Sequence, residues 1–143
     1  MSARDYSYLG DKAILTPPEL YAKLDMEFHF DFDPCPYPKT EGFDGLTCEW
    51  GLRNYCNPPF WHIEGQKGIT GWVRKALLEA DKGKLTVLAL PVDGWVKLLI
   101  ERCGSGTDIR FPPEWYWLTP NGEKRRDPRK LGLWVIRPKE AEP

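Results

Sequence analysis

The segment Asn57-Pro58-Pro59-Phe60 places a polar amide and an aromatic ring on either side of two rigid residues. The side-chain carbonyl of Asn57 and the backbone carbonyl of Pro58 can each accept one N–H of an exocyclic amine, which favours the pyramidal amine with a free lone pair. Phe60 can stack on the base that carries this amine, because an extruded base is held by edge hydrogen bonds and aromatic contact. The prolines fix φ and remove backbone donors, so the loop needs no ordering at each turnover. The segment predicts a site that activates the amine of a flipped-out nucleobase.

The alternative interpretation of this segment is that Asn-Pro and Pro-Pro simply mark a turn. The neighbouring sequence favours a site. A strand-like run, Asn54-Tyr55-Cys56, leads into the segment, and a helical pattern follows it. The loop would then lie at the carboxyl end of a strand, where ligands of open α/β sheets bind.

The amino-terminal part of the chain predicts one helix and one strand. Thr16-Pro17-Pro18-Glu19 indicates a helix start, with Thr16 as N-cap, Pro17 at the first helical position and Glu19 closing a capping box. The stretch from Phe28 to Asp33 alternates apolar and polar residues with period two, which predicts a strand that ends at Asp33-Pro34-Cys35.

The centre of the chain predicts a helix followed by a buried strand. Apolar residues recur at helical spacing from Ile69 to Ala80, and Gly83 is expected to stop this helix. Leu85 to Leu90 is a continuous apolar run, as in a parallel strand with helices on both faces. Its end at Pro91-Val92-Asp93 is expected to face the same rim as the proline loop.

The remaining elements complete an expected α/β fold of a single domain over residues 1–143. We predict a helix over 95–103, a strand over 107–111, and two antiparallel strands over 114–118 and 132–136 joined by the turn at Asn121-Gly122. The expected architecture is a reduced Rossmann-like sheet, mostly parallel, with a carboxyl-terminal antiparallel hairpin.

Composition excludes some locations and partners. No apolar run approaches the roughly 20 residues that span a bilayer, and the amino terminus lacks a basic-then-apolar signal. We therefore expect a cytoplasmic protein that does not contact membranes. The net charge is only −1, so any contact with nucleic acid must come from a local basic cluster.

One such cluster lies in the predicted hairpin loop, among the residues from Glu123 to Lys130. It contains five cations: Lys124, Arg125, Arg126, Arg129 and Lys130. These side chains could reach DNA phosphates or enter a groove, where Arg reads guanine edges. The alternative is a solvated surface loop. No separate target-recognition domain fits in the chain, so sequence selectivity should be short or loose.

The cysteines and histidines do not suggest a metal site. Four cysteines show neither C-x-x-C spacing nor a nearby pair of histidines, so free buried thiols are expected and zinc is not. His62 follows the proline loop and either lines the site or lies in a surface loop.

The order of the motifs resembles one known family. Thr-Pro-Pro, Asp-Pro-Cys, Asp-Gly-Leu with a following Trp, Asn-Pro-Pro-Phe, a Trp-Val-x-Lys-Ala helix and a Leu-Pro strand end occur in that order, from about Asp11 to Ile136. This order is similar to that of the phage-type Dam family of DNA adenine methyltransferases. The resemblance implies S-adenosylmethionine as cofactor and the amino group of adenine in double-stranded DNA as acceptor.

The resemblance also implies roles for individual residues. Thr16 and Pro17 would contact the cofactor, as would the first loop, Asp33-Pro34-Cys35, and the proline segment would hold the adenine. A carboxylate at a strand end can pair with the sulfonium and ammonium of the cofactor. Asp44 on the next loop could bind the adenine amine of the cofactor, or it could cap a turn. Asp33 could likewise be only a turn residue before proline.

The first loop departs from the wider class of methyltransferases. The segment Pro34-Cys35-Pro36-Tyr37-Pro38 stands where a Gly-x-Gly turn is usual, and only residues 34–53 separate the two key strands. We therefore expect a sheet that lacks one βα unit and a cofactor pocket that is weaker or is closed by another chain of a homo-oligomer. Two functions remain open: methyl transfer to adenine in DNA, with cytosine amines or protein glutamine as minor alternatives, and a non-catalytic DNA-binding or host-interacting phage protein.

Overall fold

The computed structural model describes residues 14–38, 41–58, 68–91, 96–103, 108–111, 117–124 and 131–138. These residues form three helices and one four-stranded sheet. The helices are α1 (Pro18–Phe28), α2 (Gly68–Asp81) and α3 (Val96–Cys103). The strands are β1 (Arg53–Cys56), β2 (Leu85–Pro91), β3 (Asp108–Arg110) and β4 (Leu131–Ile136).

The sheet has the order β1-β2-β4-β3 and mixed strand directions. β1 and β2 are parallel, whereas β4 runs antiparallel to both of its neighbours, β2 and β3. The expected α/β class is confirmed, but the prediction of a mostly parallel sheet is wrong. The reason is that β4 pairs along its whole length with β2, the central strand.

The predicted carboxyl-terminal hairpin is also wrong in its pairing. β4 lies between β2 and β3 and does not pair with the segment that ends at Leu118. Leu118 instead forms antiparallel bridges with Leu15 and Lys124. The predicted strand residues 114–116 lie outside the described residues.

The strand that we predicted from Phe28 to Asp33 is replaced at its start by helix. α1 continues to Phe28, which is buried, and ends at His29, whose φ is 54°. The chain then runs extended to Phe32, which forms a parallel bridge with Asn54 of β1. Asp31 N–H donates to Arg53 O at 2.8 Å, and Tyr55 N–H donates to Phe32 O at 3.2 Å. The end of the predicted strand is therefore extended and lies beside β1, although it is not a regular strand.

Helices cover both faces of the sheet. α2 packs on one face through the residues that the helical spacing predicts, Trp72, Val73, Ala76, Leu77 and Ala80. α1 covers the other face through its buried residues Leu20, Leu24 and Phe28. The central strand β2 is buried on both faces, as its continuous apolar run predicts, but it is parallel only to β1 and antiparallel to β4.

A buried ion pair ties α2 to the start of β2. The side chain of Glu79 is fully buried, and its carboxylate lies 2.8 Å from Lys75 Nζ and 2.8 Å from Lys84 Nζ. Lys84 Nζ forms this ion pair with Glu79 Oε2 and also donates to Trp50 O at 2.7 Å. Burial raises the pKa of Glu79, but the bonds from Lys75 and Lys84 outweigh burial and hold this pKa below its ordinary value.

Candidate functional site

Thr16 does not cap α1. The N-cap position is Pro17, no side chain caps the helix, and Glu19 is exposed, so the predicted capping box is wrong. The Thr16 hydroxyl instead forms a hydrogen bond with the phenol of Tyr55 and accepts from Asn57 Nδ2 at 3.4 Å. Because the Thr16 hydroxyl bonds to a phenol and an amide, it does not bond to the N–H groups at the start of α1. Thr16 therefore lies in the same site as Asn57.

The amide of Asn57 is held through its nitrogen. Nδ2 donates to the backbone carbonyl of Ile14 at 2.6 Å as well as to Thr16. Because a carbonyl can only accept, the nitrogen and not the oxygen must face Ile14. Asn57 Oδ1 is buried and has no hydrogen-bond partner among the described residues. The side chain therefore presents an unused acceptor at the end of β1.

Asp33 lies on the same face of the sheet as Asn57. Phe32 and Asn54 are register partners, so Asp33 is level with Tyr55 and two residues short of Asn57. Side chains alternate along a strand, which puts Tyr55 and Asn57 on one face. That face is the one covered by α1, since Tyr55 packs in its core. The structure thus gathers Thr16, Asp33 and Asn57 at one rim, where β1 ends.

The carboxyl group of Asp33 is poorly solvated. Burial raises its pKa to about 6, although its Oδ1 accepts a bond from Cys35 N–H at 2.9 Å, which acts in the opposite direction. Burial and then the charge of Asp33 raise the pKa of Tyr55, so the two groups are within electrostatic reach. A cation close to this poorly solvated carboxylate would stabilise its charged form.

The other predicted cofactor residues lie toward α2. Pro34, Cys35 and Asp44 line a small depression together with Trp72 of α2, and its volume is about 10 Å³. Asp44 Oδ1 accepts from Leu46 N–H at 3.0 Å, so Asp44 does cap a turn. The two loops pack closely, since a Cβ added at Gly45 would lie 1.8 Å from Pro34 O. This space has room for about one water molecule.

The basic segment begins next to the site. Lys124 is exposed and bridges Leu118, which exchanges two backbone bonds of 2.8 and 2.9 Å with Leu15. Leu15 is the residue between Ile14 and Thr16, the two partners of the Asn57 amide. Several predicted residues lie outside the described ones: Pro59, Phe60, His62, Asp93, Arg125, Arg126, Arg129 and Lys130.

Sequence reasoning missed two groups around Asn57: the phenol of Tyr55, which bonds to Thr16, and the carbonyl of Ile14, which accepts from the Asn57 amide. Tyr55 could have been found from period two, because it lies two residues before Asn57 and must share its face. The sequence gives no signal for the Ile14 carbonyl, because every residue has a backbone carbonyl. It is fixed only by the pairing of Leu15 with Leu118.

All four cysteines are free thiols, and Cys56 alone among them is fully buried. No group of three or more His, Cys, Asp or Glu side chains that could hold a metal occurs among the described residues. None of the described helices is long and apolar enough to cross a membrane. Comparisons with protein-family models, with curated proteins and with solved structures found no match.

Proposed function

We propose that this chain transfers a methyl group from S-adenosylmethionine to the exocyclic amine of adenine in double-stranded DNA. The observation that carries the proposal concerns the Asn57 amide: its Oδ1 is buried and has no hydrogen-bond partner in the described part of the chain, while its nitrogen is held by Ile14 and Thr16. Leaving a buried acceptor unpaired costs roughly 1–3 kcal/mol. An N–H of the substrate amine would remove this cost, so the site is complementary to an amine.

The amide and the adjoining carbonyl would act on the amine together. Asn57 Oδ1 and the carbonyl of Pro58 would each accept one N–H, which draws the nitrogen lone pair out of conjugation. The lone pair would then form the N–C bond as the methyl–sulfur bond breaks, and the amine would release one proton. Phe60 stacks on the base. Because Oδ1 is out of contact with water, the amine reaches it only when neighbouring atoms shift, and the hydrogen bonds then form in a medium of low dielectric. The four-stranded mixed sheet would be a reduced form of the Rossmann-like methyltransferase sheet.

The cofactor would lie across the rim between the two loops and the start of α1. Asp33 would lie near the positively charged groups of the cofactor, because a nearby sulfonium or ammonium stabilises a desolvated carboxylate. Pro17, next to Thr16, would contact it on the α1 side. Pro34, Cys35 and Asp44 would contact it on the α2 side only after the loop at Pro34 shifts, because the depression that they line has room for about one water molecule. When bound, S-adenosylmethionine supplies the methyl group on a positively charged sulfur.

Cofactor affinity should depend on pH through Asp33. The carboxyl is charged only above its pKa of about 6, so the dissociation constant of S-adenosylmethionine should rise about tenfold for each pH unit below that value. Titration calorimetry across this range measures the effect. Asp33→Asn should bind weakly with no such pH dependence, whereas Asp44→Asn should keep the dependence, because Asp44 caps a turn. A pH-independent affinity in the wild-type protein would refute the assignment of Asp33.

DNA would approach from the side of the basic segment. Lys124 starts this segment, and the bridges through Leu118 and Leu15 put it beside the residues that hold Asn57. Phosphate contacts from Lys124, Arg125, Arg126, Arg129 and Lys130 would orient the duplex while the extruded adenine enters the rim.

The direct test is incubation of the purified chain with duplex DNA and S-adenosylmethionine labelled in its methyl group. Label should appear in N6-methyladenine after digestion of the DNA to nucleosides. Label in cytosine or in protein would assign another acceptor to the same amine chemistry. DNA that stays unlabelled while the cofactor binds would contradict the proposal.

A second candidate is a non-catalytic DNA-binding or host-interacting protein that keeps the fold. The observation that favours it is the close packing of the loop at Pro34 on Gly45, which leaves a depression of only about 10 Å³ on that side of the rim. Calorimetry separates the two candidates, because only the first requires S-adenosylmethionine to bind.

A further inference from the structure

We propose that Thr16 is a positioning residue: its hydroxyl, held by Tyr55, keeps the Asn57 amide turned so that the oxygen faces the substrate amine. This inference rests on the proposed function. It gives Thr16 a task other than the cofactor contact that the family resemblance implies. A hydroxyl that serves the substrate amide should affect kcat, whereas one that serves the cofactor should affect its KM.

The orientation of the amide decides whether the site can work. Rotated by half a turn, Asn57 would present N–H groups to the substrate amine, and two donors would face each other. The same rotation would place Oδ1 against the carbonyl of Ile14, where two acceptors repel. The 2.6 Å contact of Nδ2 with Ile14 O therefore favours the productive orientation.

Thr16 supplies the second restraint, because a primary amide has two N–H groups to place. One points to Ile14 and the other to Thr16 Oγ1. The hydroxyl is ambiguous by itself, since it can donate as well as accept. If it turned its proton toward Asn57, it would stabilise the rotated amide.

Tyr55 removes part of this ambiguity. Its phenol is buried in the core of the α1 face and bonds to the Thr16 oxygen. Burial raises the pKa of Tyr55 well above its ordinary value, so the phenol stays protonated and can donate. Thr16 Oγ1 has two lone pairs and can accept from the phenol and the amide together.

The other restraint on the Asn57 amide is the backbone carbonyl of Ile14, and contacts outside the site hold this carbonyl in place. Leu15 and Leu118 exchange two backbone hydrogen bonds, which hold the strand carrying Ile14 O and Thr16 in place. No side-chain substitution can remove the Ile14 carbonyl. The contribution of Thr16 can therefore be measured against a constant background.

The test compares Thr16→Val, which keeps the shape and loses the hydroxyl, with Thr16→Ser, which keeps the hydroxyl. For the Val variant we expect kcat of methyl transfer to fall about three- to tenfold, the size of one neutral hydrogen bond, with KM for S-adenosylmethionine unchanged. Thr16→Ser should recover most of the lost kcat. Tyr55→Phe should give a smaller loss in kcat, because the hydroxyl remains but is less restrained.

A second readout does not need activity. The chain has three asparagines, so the side-chain amide signals of Asn57 can be assigned in an ¹⁵N-labelled sample. One proton of this amide should shift and exchange faster in Thr16→Val and not in Thr16→Ser. If the wild type has no methyl transfer, the proposed function fails, and the amide signals still decide the positioning. Unchanged amide signals, or a raised cofactor KM with unchanged kcat, would overturn it.

Discussion

Replacing Asn57 by Ala is expected to lower kcat for methyl transfer by about 10²–10³-fold. The side-chain oxygen is an acceptor held in advance at the place where the amine must lose its conjugation, and one such preorganised group contributes on this order. Steady-state kinetics with labelled cofactor and duplex DNA measure the change. Affinity for S-adenosylmethionine should stay within a few-fold, because Asn57 is not among the residues assigned to the cofactor.

The matched control for this variant is Asn121→Ala. Asn121 is exposed in the turn after Leu118, so the same chemical change should leave kcat unaltered. Thermal unfolding of both variants checks the fold. Asn57→Ala gives up the bonds to Ile14 and Thr16 but also removes a buried unpaired oxygen, so its stability should change by only about 1 kcal/mol. Activity within tenfold of wild type would rule out this role for Asn57.

Glu79→Ala is expected to lower the free energy of unfolding by about 3 kcal/mol. Breaking a buried ion pair by removing one partner typically costs about 3–5 kcal/mol, because the other charge stays buried. The low end applies here, since Lys84 keeps Trp50 O and an ion pair of 3.3 Å with Glu49. Denaturant unfolding at neutral pH gives the value. Glu49→Ala is the control: the Glu49 side chain is 77% exposed, so its loss should cost less than about 1 kcal/mol.

The effect of Glu79 should also depend on pH in a defined direction. The folded state holds the pKa of Glu79 below its ordinary value, so this carboxylate stabilises the protein above the unfolded pKa. That contribution is lost as the pH falls through the folded pKa. The wild type and Glu79→Gln should therefore differ most near neutral pH and converge in acid. A constant difference across this range would mean that packing, and not charge, is the main contribution of Glu79.

Local sequence patterns predicted the helices and strands in which buried residues recur at regular spacing. α2 was located by apolar residues at helical spacing, because one stripe of the helix faces the sheet. β2 was located by its unbroken apolar run, because helices cover both of its faces. Phe28 was misplaced because it fits two patterns: the period-two alternation that continues to Phe32, and the buried stripe of α1, in which it follows Leu24 by four residues. Only packing decides between them.

Long-range pairing could not be predicted in the same way. The local sequence of β4 does not indicate that it pairs with β2 and β3, because strand pairing depends on the arrangement of the whole sheet. The same limit applied to the site. Asn57 and Asp33 were proposed from their types and from the strand ends that precede them, whereas the hydrogen bond between Thr16 and Tyr55 depends on how α1 docks. A hydroxyl before Pro-Pro-Glu satisfies the capping pattern whether or not the helix uses it.

The pairing of Leu15 with Leu118 has a consequence for how the protein is made. These residues are roughly a hundred positions apart in the chain, so their contact closes a long loop and should form late in folding. The carbonyl of Ile14, which orients the Asn57 amide, belongs to the residue just before Leu15. During synthesis, the amide oxygen therefore cannot be held in place until Leu118 has left the ribosome. We expect a nascent chain that already contains Asn57 and the parallel pair of β1 and β2 to be unable to act on DNA.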